Sequence, residues 1–211
     1  MKLYLKHNAI SHTYVEKATS KLTDQIIFAL NKLPIPNTFF IDEEDITIHI
    51  DTIEKVCGYP LIVKDITGSG GRNSALVSNR KQFVDQYKFL PKNKKYLFQQ
   101  FIPNDYDWGI LVVNGVAVSA EKSFSQEGEF LNNTCNGAKE VFVEINDVPA
   151  NIIEMAITAS NLLKLNWSRA DIVIDKTTNK AYLMEVNRCP GISHGTAEVI
   201  GAQIFLDKHL E

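Results

Sequence analysis

Apolar residues recur at helical spacing in several parts of the chain. The first such run predicts a helix from Lys21 to about Leu33, capped by Ser20, with Ile26, Ile27 and Leu30 on one face. Further helices are predicted over 50–57, 79–90, 149–163 and 195–210. The segment 42–57 is ambiguous, because its first half alternates like a strand while 50–57 favours a helix that ends at Gly58.

Strands are predicted where apolar and polar residues alternate or where short apolar runs end in turn residues. They cover 37–41, 59–65, 75–78, 95–102 and 140–145, with two hairpins over 108–124 and 171–187. The first hairpin turns at Asn114-Gly115, a pair that is typical of a type I′ turn. Because hairpins dominate and βαβ units are few, the order indicates an α+β fold and disfavours a doubly wound sheet.

The second hairpin ends in polar residues on one strand face. Glu185 and Asn187 alternate with Val186, so both side chains point the same way. Counting back from the turn, Asp171 falls opposite them. One interpretation is a solvent-facing edge; the other is a Mg²⁺ site, because Mg²⁺ prefers carboxylate and amide oxygens and close carboxylates repel without a cation.

A glycine-rich loop follows the strand that carries Lys64. Gly68, Gly70 and Gly71 permit close approach of backbone N–H groups to a phosphate, and Lys64 supplies a charge. The loop lacks the end of a Walker A motif, and a strand follows it, unlike a Rossmann fingerprint. A flexible hairpin loop is the alternative.

Composition and charge narrow the classes of function. The net charge is −3 with 22% charged residues, so no basic footprint for nucleic acid is visible. No apolar run approaches a membrane span, and the first residues do not resemble a signal peptide. The three cysteines are scattered, which suggests reduced thiols and a cytoplasmic protein.

Four motifs together resemble an ATP-grasp domain of the carboxylate–amine ligase kind, akin to ribosomal-protein-modification enzymes and D-alanine–D-alanine ligases. The similarity covers about residues 15–205. The motifs are the opening helix and strand, the lysine strand with its glycine-rich flap, the adenine hinge, and the hairpin in which Asp precedes Glu-x-Asn and Pro-Gly. They lie at 21–40, 59–77, 97–115 and 168–193.

The resemblance implies a set of site residues. Lys21 and Lys64 match the lysines that hold the phosphates of ATP. Asp171, Glu185 and Asn187 match the metal ligands, and Arg169 matches an arginine on the acceptor side, with pairing to Asp171 or Glu185 as the alternative. The remaining nucleotide contacts implied are the flap, the hinge, two apolar walls and two polar positions: Gly68, Ser69, Gly70, Gly71, Gln99, Gln100, Phe101, Ile102, Ile62, Leu183, Asp107 and Asn133.

The chain departs from the family pattern on the acceptor side. Gly109 stands where many members of the ribosomal-protein-modifying branch have arginine two residues after Asp107, and Leu131 replaces another arginine. Gln100 replaces a glutamate at the hinge. Only about 20 residues precede the first helix, so the expectation is either that a partner chain or a second copy completes that side, or that this is an excised or degenerate domain.

The sequence therefore predicts an ATP-grasp fold in which two α/β subdomains clasp ATP between antiparallel sheets. The expected division is 1–20 as an N-terminal remnant, 21–103 with the lysine strand, and 104–211 with the metal hairpin. The expected activity is ligation of a small-molecule or peptide carboxylate to an amine through an acylphosphate, with ATP and Mg²⁺ (or Mn²⁺), Lys64 and Arg169 being catalytic. The alternatives are a nucleotide-binding module without independent ligase activity and an ATP-grasp kinase.

Overall fold

The computed structural model describes residues 21–66, 74–124 and 139–210. Five α-helices and nine strands occupy these residues. The helices are α1 Lys21–Leu30, α2 Ile50–Cys57, α3 Arg80–Tyr87, α4 Ala150–Leu162 and α5 Ala197–Leu210. The strands are β1 Thr38–Asp42, β2 Leu61–Asp65, β3 Ser74–Val77, β4 Lys95–Gln100, β5 Asp107–Val113, β6 Val116–Phe124, β7 Lys139–Val143, β8 Trp167–Ile174 and β9 Ala181–Asn187. Among the described residues, no helix is both long and apolar enough to cross a membrane.

The smaller sheet has the strand order β1-β4-β2-β3, with all neighbours antiparallel. One of its faces packs against α2 and α3, where Phe83 and Phe98 meet in the hydrophobic core. Ile62 lies opposite Gln99, and Lys64 lies opposite Leu97. Since side chains alternate across a strand, these four share the other face of the sheet.

The larger sheet has the order β7-β6-β5-β8-β9 and is also antiparallel. Its first face packs against α4, where Ile152 and Ala156 meet Ile110 and Ile172. Its second face carries Asp107, Gly109 and Asp171, and α5 covers part of that face. Gly201 permits this approach, because a Cβ there would lie 2.7 Å from the Val118 side chain. The buried α4 face thus holds the sheet that presents the polar residues.

The structure contains the turn and the helix cap that the sequence predicts, and the end of the first helix is shifted by a few residues. Asn114 and Gly115 both have positive φ, as a type I′ turn requires. Asn79 caps α3 by accepting a hydrogen bond from the Gln82 N–H. The first helix ends at Leu30 rather than near Leu33, because Lys32 adopts a positive φ that turns the chain out of the helix.

The ambiguous segment 42–57 contains no strand beyond Asp42. It forms a 3₁₀ helix over Glu43–Ile48, and then α2 begins at Ile50, as the helix interpretation of 50–57 predicts. Of the apolar residues in its first half, Ile46 is buried whereas Ile48 is 75% exposed, so the alternation does not mark one buried strand face. The short apolar alternation therefore belongs to helical turns that pack on the core, and not to a strand.

We expect Ile152→Ala to lower the free energy of unfolding by about 3 kcal/mol, because it leaves a cavity between α4 and the larger sheet. Ile152 has no exposed surface. Urea unfolding followed by circular dichroism measures the loss. Ile204→Ala is the control, since that side chain is 47% exposed, and equal losses in both variants would contradict this account of the core.

Candidate active site

The β8–β9 hairpin, called the ligand hairpin because it carries the predicted metal ligands, brings Asp171, Glu185 and Asn187 together. Asp171 lies directly opposite Glu185 in the β8–β9 ladder. The Asn187 amide donates a hydrogen bond of 2.9 Å to the Asp171 carboxylate. The pairing read from the sequence is thus the pairing that the structure shows, and three oxygen-bearing side chains meet at one place.

A β-bulge in β9 corrects one sequence assignment. The register shifts between Asp171 and Ile172, so Leu183 lies opposite Ile172 and Met184 is the additional residue. Leu183 has no exposed surface and belongs to the core under α4. The bulge turns the Leu183 side chain toward α4, so the apolar wall that the resemblance implies is not on the face that carries Asp171 and Glu185.

Two lysines lie close to the hairpin. The Lys21 ammonium lies 3.2 Å from a Glu185 carboxylate oxygen. The Lys64 ammonium donates a 2.8 Å hydrogen bond to the Gln99 side-chain oxygen, and Gln99 in turn donates to Thr38. Gln99 is buried, so this chain of bonds fixes the direction of Lys64.

The titration behaviour of the site shows how close these charges are. Burial raises the pKa of Asp171 well above its ordinary value, and repulsion from Glu185 and Asp107 adds to the rise. Burial also disfavours the Glu185 charge, but Lys21 and Lys64 outweigh it and hold the pKa of Glu185 below its ordinary value. Burial lowers the pKa of Lys64, and attraction to Glu185 opposes that change.

These observations fit a divalent cation. Two carboxylates directly opposite one another repel, and a raised carboxyl pKa marks charge that lacks compensation. The described residues contain no group of three His, Cys, Asp or Glu that could form a complete metal cage. Mg²⁺ commonly uses one or two carboxylates and completes its shell with water and phosphate, so Asp171, Glu185 and Asn187 would suffice to hold it.

The predicted hinge comprises the last two residues of β4 and the two residues that follow it. Ile62 and Gln99 lie on the sheet face that carries Lys64. The Gln100 N–H donates to the Asn37 carbonyl, and the Phe101 N–H donates to the Pro60 carbonyl. These two N–H groups hold the hinge in place, so any adenine contact by Gln100 or Phe101 would have to use other atoms. Ile102 is buried beside them.

Arg169 lies in a cluster that the sequence did not predict. Its guanidinium pairs with Glu121 at 3.0 Å and with Glu198 on α5, and it donates to the Gly191 carbonyl at 3.1 Å. Glu198 also accepts the Ser193 N–H at 2.7 Å. Arg169 therefore joins β8 to the Pro-Gly loop and to α5, and the pairing with Asp171 or Glu185 that the sequence left open is not among these bonds.

Gly109 makes room for Glu121. A Cβ at Gly109 would lie 2.7 Å from the Glu121 carboxylate, and Gly109 lies between Glu121 and Asp171 in the ladder. The arginine that the family pattern places here would displace Glu121 from Arg169. The sequence therefore indicated Glu121 only indirectly. The glycine at position 109 leaves the space that the Glu121 side chain occupies.

We expect Glu121 to make the protein less stable as the pH rises. Burial raises its pKa from 4.5 to about 7, against the attraction of Arg169. The folded state keeps a proton that the unfolded chain loses, so the stability present below pH 4.5 is lost progressively up to about pH 7, by at most ~1.4 kcal/mol per pH unit. Urea midpoints over this window should decline less in Glu121→Gln, while the exposed control Glu44→Gln should follow the wild type. Parallel profiles for all three would contradict the assignment.

Several predicted site residues lie outside the described part of the chain. These are the glycine-rich flap and the polar position between β6 and β7: Gly68, Ser69, Gly70, Gly71 and Asn133. Their roles stay predictions. Asp107 begins β5, and its charge acts on both Lys64 and Asp171, which places it beside the site.

Two antiparallel sheets, one presenting Lys64 and the other an Asp/Glu-x-Asn hairpin that Lys21 of α1 contacts, define an ATP-grasp domain. Solved structures agree on the fold. A D-alanine–D-alanine ligase from Bacillus anthracis complexed with ATP superposes with a TM-score of 0.70 at 15% identity, covering 98% of this chain and 71% of that one. The ATP-grasp ligase PsnB, complexed with minimal precursor, Mg and ADP, superposes at 0.68 with 13% identity, covering 97% and 65%.

The chain belongs to the RimK-like ATP-grasp domain family, whose model matches residues 18–206. Curated relatives include a probable alpha-L-glutamate ligase from Psychromonas ingrahamii, 27% identical over 93% of this chain and 66% of that protein. A protein of the same name from Enterobacter sp. is 29% identical over 90% of this chain and 62% of its own length. The family and the fold predicted from the sequence are confirmed, and the chain spans about two thirds of these relatives.

Proposed function

We propose that this chain carries the Mg·ATP site of a carboxylate–amine ligase. In the reaction, the γ-phosphoryl group of ATP passes to a carboxylate and ADP leaves. The amine nitrogen then attacks the acyl carbon of the acylphosphate, loses a proton, and expels phosphate to leave an amide. The relatives are named as ligases, and the site described above has charges suited to the triphosphate.

The side chains have separate tasks in this proposal. Lys21 and Lys64 would offset negative charge on the phosphates, and Gln99 keeps Lys64 aimed at them. Asp171, Glu185 and Asn187 would hold Mg²⁺, which when bound neutralises charge on the phosphate oxygens. Arg169 would use its Nε–H, which has no hydrogen-bond partner among the described residues, to hold an oxygen that gains negative charge on the acceptor side. The protein then acts mainly by position and electrostatics.

The observation that carries the proposal is the direct pairing of Asp171 with Glu185, with Lys21 in contact and Lys64 close enough to shift the pKa of Glu185. The test incubates the chain with Mg·ATP, L-glutamate as the first amine and a set of peptide carboxylates, and follows the products by mass spectrometry. ADP together with an amide supports the proposal. L-Glutamate is chosen because it appears in the names of the relatives.

Two alternatives have distinct outcomes in the same assay. ADP with a stable phosphate ester would identify a kinase, and bound but unchanged ATP would identify a nucleotide-binding module. Nucleotide affinity is measured beside the products, so that binding and turnover are separated. No nucleotide binding at all would exclude the three functions together.

Several finer assignments belong to this proposal. We include the subdomain division at 103/104, which falls between the end of β4 and the start of β5. The use of Mn²⁺ rests on the same oxygen donors that suit Mg²⁺. The cytoplasmic location rests on the scattered cysteines and the requirement for ATP. A partner chain or second copy beside α1 rests on the resemblance.

A further inference from the structure

Helix α1 contacts the ligand strand β9 through one of its faces. Lys21 and Gln25 are four residues apart, so they lie one above the other on the helix. Lys21 reaches Glu185 at 3.2 Å, and the Gln25 amide donates a 2.9 Å hydrogen bond to the Met184 carbonyl. The helix therefore meets β9 at two successive residues, one of which is a proposed metal ligand.

A third contact on the same face is an ion pair. The Arg188 guanidinium donates two hydrogen bonds, each of 2.6 Å, to the two oxygens of Asp24. The side chains are 14% and 9% exposed. Parallel bonds between guanidinium and carboxylate fix orientation as well as distance, so this pair sets the angle between α1 and the end of β9.

The position of this pair in the chain links both sides of the proposed nucleotide site. Arg188 directly follows Asn187, a proposed metal ligand, and Asp24 lies one helical turn after Lys21. The pair therefore joins the segment that carries a phosphate lysine to the segment that carries the cation ligands.

Strand β9 depends on such contacts because it lies at the edge of its sheet. Its β neighbour is β8, and on the other side the Leu183 N–H donates to the Pro34 carbonyl at 2.8 Å. Besides that bond, the contacts of α1 hold the end of β9 that carries Glu185 and Asn187. A loss of the Asp24–Arg188 pair would leave Glu185 and Asn187 less fixed relative to Lys21.

We propose that Asp24 and Arg188 are positioning residues of the nucleotide site, which act through Lys21 and Asn187 without touching the nucleotide. The inference rests on the proposed Mg·ATP site. A lysine and a ligand hairpin that are already fixed relative to each other lose less freedom when the nucleotide binds, so the pair strengthens affinity by preorganisation.

The test measures affinity for Mg²⁺ with a non-hydrolysable ATP analogue by isothermal titration calorimetry. Asp24→Asn removes the charge and one acceptor; Arg188→Lys keeps the charge and loses the parallel pair of bonds. Each is expected to weaken affinity about tenfold. Ile53→Val is the control, because it destabilises the core under the smaller sheet, in a hydrophobic cluster that contains no residue of α1 or β9. All titrations are run below the unfolding transition of the least stable variant.

Repeating the Asp24→Asn substitution in a protein that already carries Lys21→Met separates positioning from general destabilisation. If Asp24 acts through Lys21, Asp24→Asn should cost little further affinity once Lys21→Met has removed the ammonium. Full additivity of the two substitutions would overturn the proposal, as would unchanged affinity in both Asp24→Asn and Arg188→Lys. Those results would leave the nucleotide site itself standing, whereas a wild-type chain that binds no nucleotide would overturn both proposals.

Discussion

Glu185→Ala is expected to abolish magnesium-dependent nucleotide turnover while leaving the fold intact. Glu185 pairs with Lys21 and lies opposite Asp171, so its removal takes away a proposed cation ligand together with the partner of a lysine proposed to bind phosphate. A bound metal contributes several kcal/mol of charge stabilisation, and we expect ADP release to fall by about 10³-fold. A coupled assay for ADP measures the change.

The same substitution should abolish the strengthening of nucleotide affinity by Mg²⁺. Titration of ADP with and without Mg²⁺ tests this part of the site without an acceptor substrate. Glu44→Ala is a suitable control, because Glu44 is exposed on the 3₁₀ helix beside the smaller sheet. If Glu185→Ala keeps its full response to Mg²⁺, the hairpin is not the metal site.

Arg169→Lys is expected to lower coupled turnover by about 10²–10³-fold, the usual cost of losing one oxyanion donor. Its affinity for Mg·nucleotide should stay nearly unchanged, since Arg169 bonds to Glu121, Glu198 and the Gly191 carbonyl. Lysine keeps the charge but cannot offer a planar fork to two carboxylates at once. Turnover and calorimetric affinity, measured on the same preparations, separate the two effects.

The Arg169 cluster also predicts a stability cost, because Glu121 and Glu198 are both buried and would lose a partner. Arg80→Lys is the matched control: Arg80 also bonds two carboxylates, Asp51 and Glu54, but on the exposed surface of the other sheet region. A collapse of nucleotide affinity in Arg169→Lys at a temperature where it is folded would assign Arg169 to the nucleotide site.

Local signals allowed much of the fold to be predicted. The Asn114-Gly115 turn and the Asn79 cap depend on residues a few positions apart, and the structure contains both. The pairing of Asp171 with Glu185 was predictable for the same reason, since a short turn sets which residues lie opposite each other. The bulge in β9 was not predictable, because the pattern of residues near Leu183 does not indicate an additional residue.

The partners of the site residues were largely hidden. Glu121 and Glu198 come from β6 and α5, and their approach to Arg169 depends on how these elements pack. The Asp24–Arg188 pair joins residues 164 positions apart. Charged residues at such distances give no periodic signal, so the sequence could suggest which residues carry chemistry but not what holds them.

That separation of 164 residues also bears on the order in which the protein folds. The β8–β9 hairpin closes a short loop and can form early, whereas α1 must return across most of the chain to reach it, with a larger loss of chain entropy. The contacts of Lys21, Asp24 and Gln25 are therefore expected to form late, after the folding transition state. A nucleotide bound between α1 and β9 would then slow unfolding more than it speeds refolding, so that occupancy lengthens the lifetime of the native chain.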